Sequence, residues 1–294
     1  MQCLVCGGLA WREVFKGRVR AGAPGVLSDE PFEVRQCDQC SVQRLVPFPE
    51  NVQQFYESPE YRDAYNRTRD QSTITATHAD IRATIVDRLG LETLLGKSVA
   101  DFGCAEGGLL DLLAAVTTAR IGIEPSRFFH DELKRKGIHV FSYGRELVQA
   151  GRRVDVALSF AVIEHVMDPV TFVSEMYGAL EVGGRLVLST PNSQDILTEL
   201  APEAFKPFNY RTAHLHYFSE SSLRFMLEKV GFRSIKIGFQ HLYDLSNLLS
   251  WYRDGQPSGL GHIPLFDQRI DEPLRSYLEE TGRASELWVE AVKP

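Results

Sequence analysis

Ser98-Val99-Ala100-Asp101-Phe102-Gly103-Cys104-Ala105-Glu106-Gly107-Gly108, an apolar helical run, and then Ile121-Gly122-Ile123-Glu124 decide the fold. Val99, Ala100 and Phe102 read as a short buried strand, Gly103 to Gly108 as a sharp turn, and Leu109 to Val116 as a helix packing back on that strand. Glycine suits the turn because the backbone reverses tightly and admits a ligand with no Cβ in the way. A second strand ends at Glu124, 21 residues after Gly103. A carboxylate there can accept hydrogen bonds from both hydroxyls of an adenosine ribose, so the stretch reads as a nucleotide-binding half.

NAD-binding folds share such an acid, but they want Gly-x-Gly-x-x-Gly with the pyrophosphate on the helix N-terminus. Here Asp101 precedes the first glycine and Cys104 fills a slot usually small. Asp101-Phe102-Gly103-Cys104-Ala105-Glu106-Gly107 resembles motif I of class I S-adenosylmethionine-dependent methyltransferases, D-x-G-x-G-x-G, with Ala105 for the middle glycine and an extra Gly108. Ala is the smallest side chain that can stand there, so reduced loop freedom is expected rather than lost binding. A tight turn with no ligand is the bland alternative, and it leaves Glu124 unexplained.

The likeness extends over about 96 to 240. Val162-Ile163-Glu164-His165-Val166-Met167-Asp168-Pro169 resembles the EH-x-x-DP segment of small-molecule methyltransferases, and Leu180-Glu181-Val182-Gly183-Gly184 their L-x-P-G-G turn with Val182 for proline. His214-Leu215-His216-Tyr217-Phe218-Ser219, followed by Gly231-Phe232, resembles their H-x-x-x-F-S then GF segment. Several such enzymes, sugar methyltransferases included, carry an N-terminal four-cysteine zinc module. The resemblance implies a Rossmann-like α/β fold with a seven-stranded sheet. It also implies an S-adenosyl-L-methionine site lined by Asp101, Gly103, Cys104, Ala105, Gly107, Glu124, Ser159 and Phe160. Ser142-Tyr143-Gly144 departs from the family, since many relatives place an acid there for the adenine amino group.

Four of the five cysteines form two pairs, Cys3-x-x-Cys6 and Cys37-x-x-Cys40, separated by 30 residues. Four thiolates surround Zn²⁺ tetrahedrally and leave no position for substrate, so a structural zinc is expected. The segment is too short to hold a core unaided, and the metal would supply its folding energy. Disulfides and free thiols are the competing readings; the first is disfavoured without a signal peptide, and the second does not explain the pairing. Cys104 stands outside this set and reads as a small core residue.

The chain has 294 residues, is 44% apolar and carries a formal net charge of -7. That composition suits one large soluble domain with a small appendage. No basic-then-apolar leader and no membrane-length apolar stretch occurs, so a cytoplasmic protein without a membrane span is expected. The divisions read as a zinc ribbon at 1–46, a helical lead-in or lid at 47–95, and the methyltransferase domain at 96–294 with an insertion at about 240–285. Phe55, Tyr56, Tyr61 and Tyr65 are candidates for a lid, whereas Ile81, Ile85, Val86 and Leu89 at helical spacing read as core.

Past Glu124 the pattern predicts a helix at Arg127–Lys136, strands at Ile138–Phe141 and Val154–Phe160, a helix at Pro169–Leu180 capped by Asp168, and a strand at Arg185–Thr190. A helix capped by Ser219 follows, with strands through Ile235, Ile237 and Phe239 and at Leu287–Val292. The last fits the antiparallel strand that such folds insert between their fifth and sixth.

Because a sulfonium methyl is already electrophilic, the protein's task is to align a nucleophile and, for an alcohol, to remove its proton. His165, His214 and His216 all map to the carboxyl edge of the sheet, where cofactor and crevice meet. His165 reads first as orienting its loop, His214 or His216 as the base, and Glu164 as an anchor. Metal-assisted sugar methyltransferases cluster carboxylates at the end of the fourth strand; here Ser159-Phe160-Ala161 stands there, so catalytic Mg²⁺ is not expected.

The leading expectation is an O-methyltransferase for a sugar, nucleotide-sugar or glycan end. An rRNA base methyltransferase is the alternative, but residues 1–60 hold six Lys/Arg against eight Asp/Glu, no basic face for phosphates. A cofactor-binding interaction protein without turnover is the third. Aromatics such as Phe205, Phe208, Tyr210, Tyr243 and Trp251 are candidates to stack on sugar faces, or simply to pack. Nothing in the chain fixes an oligomeric state.

Overall fold

Alternating apolar strands and amphipathic helices build a doubly wound α/β layer structure, seen here in a computed structural model. The described residues are 1–22, 24–48, 52, 57–58, 81–259 and 261–294, and the four tyrosine and phenylalanine lid candidates lie outside them. Strands β1 (Trp11–Gly17), β2 (Phe32–Cys37) and β3 (Gln43–Val46) come first. Helix α1 (81–89) leads into β4 (Ser98–Phe102), α2 (Gly108–Leu112) and β5 (Ala119–Ile123). There follow α3 (His130–Arg135), β6 (His139–Phe141), α4 (Gly144–Gln149), β7 (Val154–Phe160), α5 (Pro169–Ala179) and β8 (Leu180–Pro191). The rest is α6 (Pro202–Asn209), β9 (His216–Tyr217), α7 (Glu220–Val230), β10 (Arg233–Gln240), α8 (Leu245–Asp254), α9 (Gln268–Glu280) and β11 (Glu286–Val292).

The main sheet has seven strands in the order β10-β11-β8-β7-β4-β5-β6. From β8 to β6 the pairs are parallel, and β11 runs antiparallel between β8 and β10. This is the inserted last strand that the sequence predicts. Strand order reverses between β4 and β7, which opens a crevice beyond their carboxyl ends. Val99, Ala100 and Phe102 are fully buried, as a strand covered on both faces requires. Each large apolar side chain so buried contributes about 1.5–3 kcal/mol.

Local chemistry sets the ends. Asp168 Oδ1 accepts from the Val170 and Thr171 amides at 3.0 and 3.1 Å, with Pro169 in the first turn of α5. Ser219 and Ser222 form a capping box on α7. Three expectations are corrected. The helix after the glycine turn is only Gly108–Leu112, because the chain unwinds into turns before β5. Strand β8 already starts at Leu180 and passes through Gly183-Gly184, pairing Leu180 with Val154. Ile81 is exposed, although Ile85, Val86 and Leu89 do pack against the core.

The N-terminal strands form a second sheet, β1-β2-β3-β9, whose last member comes from the far side of the sequence. Gln43 pairs with Tyr217 and Arg44 with His216. Cys3, Val5, Cys37, Cys40 and Val42 share one apolar cluster with Phe218, Leu223 and Met226. Lys229 Nζ donates to the Val5 carbonyl at 2.8 Å, a further tie between α7 and the N-terminus. Among the described residues no helix is long and apolar enough to cross a membrane.

Candidate active site

The turn after β4 is held by its neighbour strand. Gly103 N and Cys104 N donate to the Ile123 carbonyl, at 2.8 and 3.4 Å. Gly103 has φ +85, and a Cβ there would meet Val162 Cγ2 at 2.5 Å, so backbone angle and space both demand glycine. Ala105 takes φ +46, the left-handed conformation that the missing glycine would adopt freely. That costs an L-residue roughly 1–2 kcal/mol. The strain is offset where the Ala105 amide donates to Glu124 Oε2 at 3.0 Å.

Glu124, at the end of β5, also accepts from Ser126 N through Oε1 at 2.8 Å. Each oxygen retains a lone pair for a further donor. Burial pushes the Glu124 carboxyl up to about 7, and burial together with the charge on Glu124 pushes Asp101 up to about 7. A cationic ligand would favour the ionised form of both. Arg82, from α1, pairs with Glu106 of the loop. Cys104 packs among Leu109, Leu133 and Ile138 as a core residue. Ser159 Oγ is buried and donates to the Phe102 carbonyl at 3.1 Å, binding β7 to β4, and the Phe160 ring stacks on Trp288.

At the carboxyl edge beside this loop lies a buried polar cluster. Glu164 and His165 sit on a 3-10 turn after β7, and His214 on the loop before β9. The Leu215 amide donates to the Glu164 carbonyl at 2.8 Å and locks the two segments together. His165 Nδ1 lies 2.7 Å from the Ala213 carbonyl and therefore carries the proton, which leaves Nε2 as the basic nitrogen, 3.9 Å from Glu164 Oε1. The His165 and His214 rings meet edge to face at 4.6 Å. Thr190 Oγ1 donates to Glu164 Oε2 at 2.9 Å, and Nδ1 of the buried His214 has no hydrogen-bond partner among the described residues. Burial lowers the His165 imidazole to about 4, lowers His214 as well, and raises the Glu164 carboxyl to about 7.

His216 has different neighbours. It sits in β9 with its ring against Phe48 and Phe218, and Nε2 lies 3.4 Å from the Met167 carbonyl. Phe205, Phe208 and Trp251 pack on one another, with Phe205 and Trp251 rings 5.1 Å apart, and Tyr210 donates to Gln43 Oε1 in the core of the second sheet. Only Tyr243 of the five aromatics is substantially exposed.

The four paired cysteines come together. Cys3 and Cys40 Sγ are 3.6 Å apart, and Cys6 and Cys37 Sγ 3.5 Å, with all four within 4.8 Å of one another. A tetrahedral zinc with bonds of about 2.3 Å needs sulfur separations of roughly 3.8 Å, so the set fits that ion with little adjustment.

Some site neighbours carry no motif. Thr190 lies at the end of β8, parallel to β7, at the same edge, and Glu286 and His241 reach it because β11 is antiparallel to both β8 and β10, Gln240 pairing with Glu286 and Glu286 with Pro191. A carboxylate also comes to the turn after β6, but from Glu146, whose Oε2 accepts from Ser142 N at 2.9 Å. An acidic residue one helical turn past the expected slot is the signal that could have found it.

A family described as a methyltransferase domain matches residues 76–237. A Mycolicibacterium smegmatis protein named "probable S-adenosylmethionine-dependent methyltransferase" is 32% identical over 140 residues, 47% of this chain and 52% of that protein. A tRNA U34 carboxymethyltransferase of Pseudoalteromonas translucida is 27% identical over 50% of this chain and 48% of its own length. A ubiquinone biosynthesis O-methyltransferase of a Methylobacterium species is 31% identical over 36% of this chain and 45% of its own. The chain thus spans about half the length of the curated relatives it matches. Among solved structures, magnesium protoporphyrin IX methyltransferase from Synechocystis, with bound S-adenosylhomocysteine, covers 83% of this chain and 98% of its own at TM-score 0.53 and 18% identity. An Archaeoglobus fulgidus S-adenosylmethionine-dependent methyltransferase covers 76% and 100% at TM-score 0.51 and 17% identity. Likeness at such identity is one of fold.

Proposed function

The chain belongs to this methyltransferase family and is an S-adenosylmethionine-dependent enzyme, and we propose that it transfers the methyl group to a hydroxyl oxygen of a sugar, nucleotide-sugar or glycan end. The observation that carries the oxygen acceptor is the buried Glu164–His165–His214 cluster at the carboxyl edge. An amine needs little help with its proton, whereas an alcohol does, and neutral imidazoles beside a carboxyl are suited to that task. The relative named an O-methyltransferase agrees with it. The sugar class rests on the resemblance of the four-cysteine module and segment order to sugar methyltransferases.

S-adenosylmethionine, when bound, supplies an electrophilic methyl on a sulfonium sulfur. Gly103, Ala105 and Gly107 shape the cradle, and Glu124 accepts the ribose hydroxyls on the lone pairs its two amide bonds leave. Asp101 and Glu124 provide the negative field that suits a sulfonium and an ammonium. Ser159 and Phe160 bound the cradle from β7. The hydroxyl's proton is given up at the Glu164–His165–His214 cluster, and His216 is a support of β9. Cys3, Cys6, Cys37 and Cys40 hold a structural zinc away from the chemistry.

Affinity for the cofactor is expected to depend on pH. Ionised Glu124 is the form that accepts two hydroxyls, and its folded pKa lies near 7, above the ordinary carboxyl range. Binding therefore opposes protonation, and Kd falls as pH rises through that value, by about tenfold between pH 6 and 8 for one group. Calorimetric titration across this range checks it; a flat profile, or an unchanged slope in Glu124→Gln, speaks against the role.

Methyl-labelled S-adenosylmethionine incubated with cell extract and fractionated tests the acceptor. Label is expected in carbohydrate, with kcat lowered about 100-fold in His165→Ala and His214→Ala. Label in RNA, or variants that keep full turnover, would refute the reading.

A further inference from the structure

Nδ1 of His214 is buried and makes no hydrogen bond among the described residues. Leaving such a group unsatisfied costs about 1–3 kcal/mol, unless a ligand takes it. The His214 ring belongs to a trio with Glu164 and His165, in which one donor atom from each side chain lies within 4.8 Å of the other two.

From these residues we infer that Glu164, His165 and His214 form a binding site for one divalent transition-metal cation, separate from the four-cysteine site. The supporting contacts are those that orient metal ligands. The Ala213 carbonyl holds His165 Nδ1 and so fixes the ring with Nε2 toward Glu164, and the Thr190 hydroxyl holds one carboxylate oxygen, leaving Oε1 on the cluster side. Among the described residues no Lys or Arg forms an ion pair with Glu164; the nearby Arg211 guanidinium exerts its charge on His214. The Leu215-to-Glu164 backbone bond keeps the two contributing loops in register.

Two imidazoles and one carboxylate favour zinc, iron, cobalt or nickel over magnesium, which takes oxygen ligands. Bonds of about 2.0–2.2 Å would draw the donors to roughly 3 Å from one another, so the side chains close in by about 1–2 Å on loading. Three protein ligands leave positions open. Given the hydroxyl-acceptor reading above, the acceptor oxygen enters one of them and its proton becomes more acidic. The imidazoles, then bound to the cation, act by acidifying this proton and not as its acceptor, and it passes to water. The oxygen's lone pair then forms the new C–O bond, and the C–S electron pair returns to sulfur.

Binding is tested without acceptor or cofactor. Protein carrying zinc on its cysteines is titrated with Co²⁺ and followed by visible spectroscopy and calorimetry. One further Co²⁺ per chain is expected, with the weak bands of nitrogen and oxygen ligation and no thiolate charge-transfer band. Its Kd should rise at least 30-fold in His214→Ala and in Glu164→Gln, with cysteine-bound zinc unchanged. Glu164→Gln keeps the side-chain shape and the Thr190 contact, so it decides the matter if His214→Ala folds poorly. No bound Co²⁺, or one bound equally well by Glu164→Gln, overturns the site. If the cation binds but label goes to nitrogen or carbon, the acceptor reading falls while the site stands. A methylated hydroxyl without cation binding is the reverse.

Discussion

Cys40→Ser is expected to lower the melting temperature of the whole chain by more than about 10 °C, in a single transition. A hydroxyl is a poor zinc ligand, so three thiolates would be left where four stand at separations that suit the ion. Metal binding in such modules is folding free energy, and removing a ligand removes much of it. For a chain of this size, about 10 °C corresponds to roughly 6 kcal/mol. The loss is expected to be global because Cys3, Cys37 and Cys40 pack in the same cluster as Phe218, Leu223 and Met226 of the catalytic domain. Strand β3 also pairs with β9, two residues beyond His214. Chelation of the wild-type protein should reproduce the shift, and calorimetry with metal analysis checks both. A ribbon that folded by itself would instead melt separately and leave the main transition in place; an unchanged Tm with one zinc still bound would remove the zinc reading.

The strands of the main sheet were legible because each is a short apolar run ending at a turn signal, and the crossover order follows from strand alternating with helix. The turn at Gly103 and the acid at Glu124 were legible for the same reason, since strand ends on one sheet edge meet. The Glu164–His165–His214 arrangement was only half readable. Three histidines could be sent to the correct edge, but which ring faces which depends on the Leu215-to-Glu164 bond, across 51 positions of chain. A two-residue strand such as β9 has no periodicity to detect, so the sharing of a sheet between the N-terminal segment and the catalytic domain left no trace in the pattern. Glu286 carries no motif, and reaches the edge only through the register of an antiparallel last strand. Phe205, Phe208 and Trp251 follow the second of the two readings open to them: their rings pack on one another.

Glu124→Ala is expected to weaken S-adenosylmethionine binding by about 10³-fold, more than any other single change in the cradle. Two effects combine. Hydrogen bonds to a charged acceptor contribute about 1.5–3 kcal/mol each, and the ribose offers two. The same carboxylate also accepts the Ala105 and Ser126 amides, at 3.0 and 2.8 Å, so alanine would leave both donors unsatisfied. Ala105, held at φ +46, would then lose the bond that offsets its strain, and the loop would relax toward a shape that fits the cofactor less well. Glu124→Gln separates the two effects. Its amide oxygen can still receive one backbone donor, while its NH₂ meets the other donor badly and the negative charge is gone. An intermediate loss of roughly 10–100-fold is therefore expected. Combining Glu124→Gln with Ala105→Gly should recover part of it, because glycine adopts the left-handed angle without the missing bond. Calorimetry on the three variants at pH 8, where the wild-type carboxylate is ionised, measures each step. Wild-type affinity in Glu124→Ala would show that the ribose is held elsewhere, and no recovery in the double variant would show that the charge, and not the loop, carries the effect.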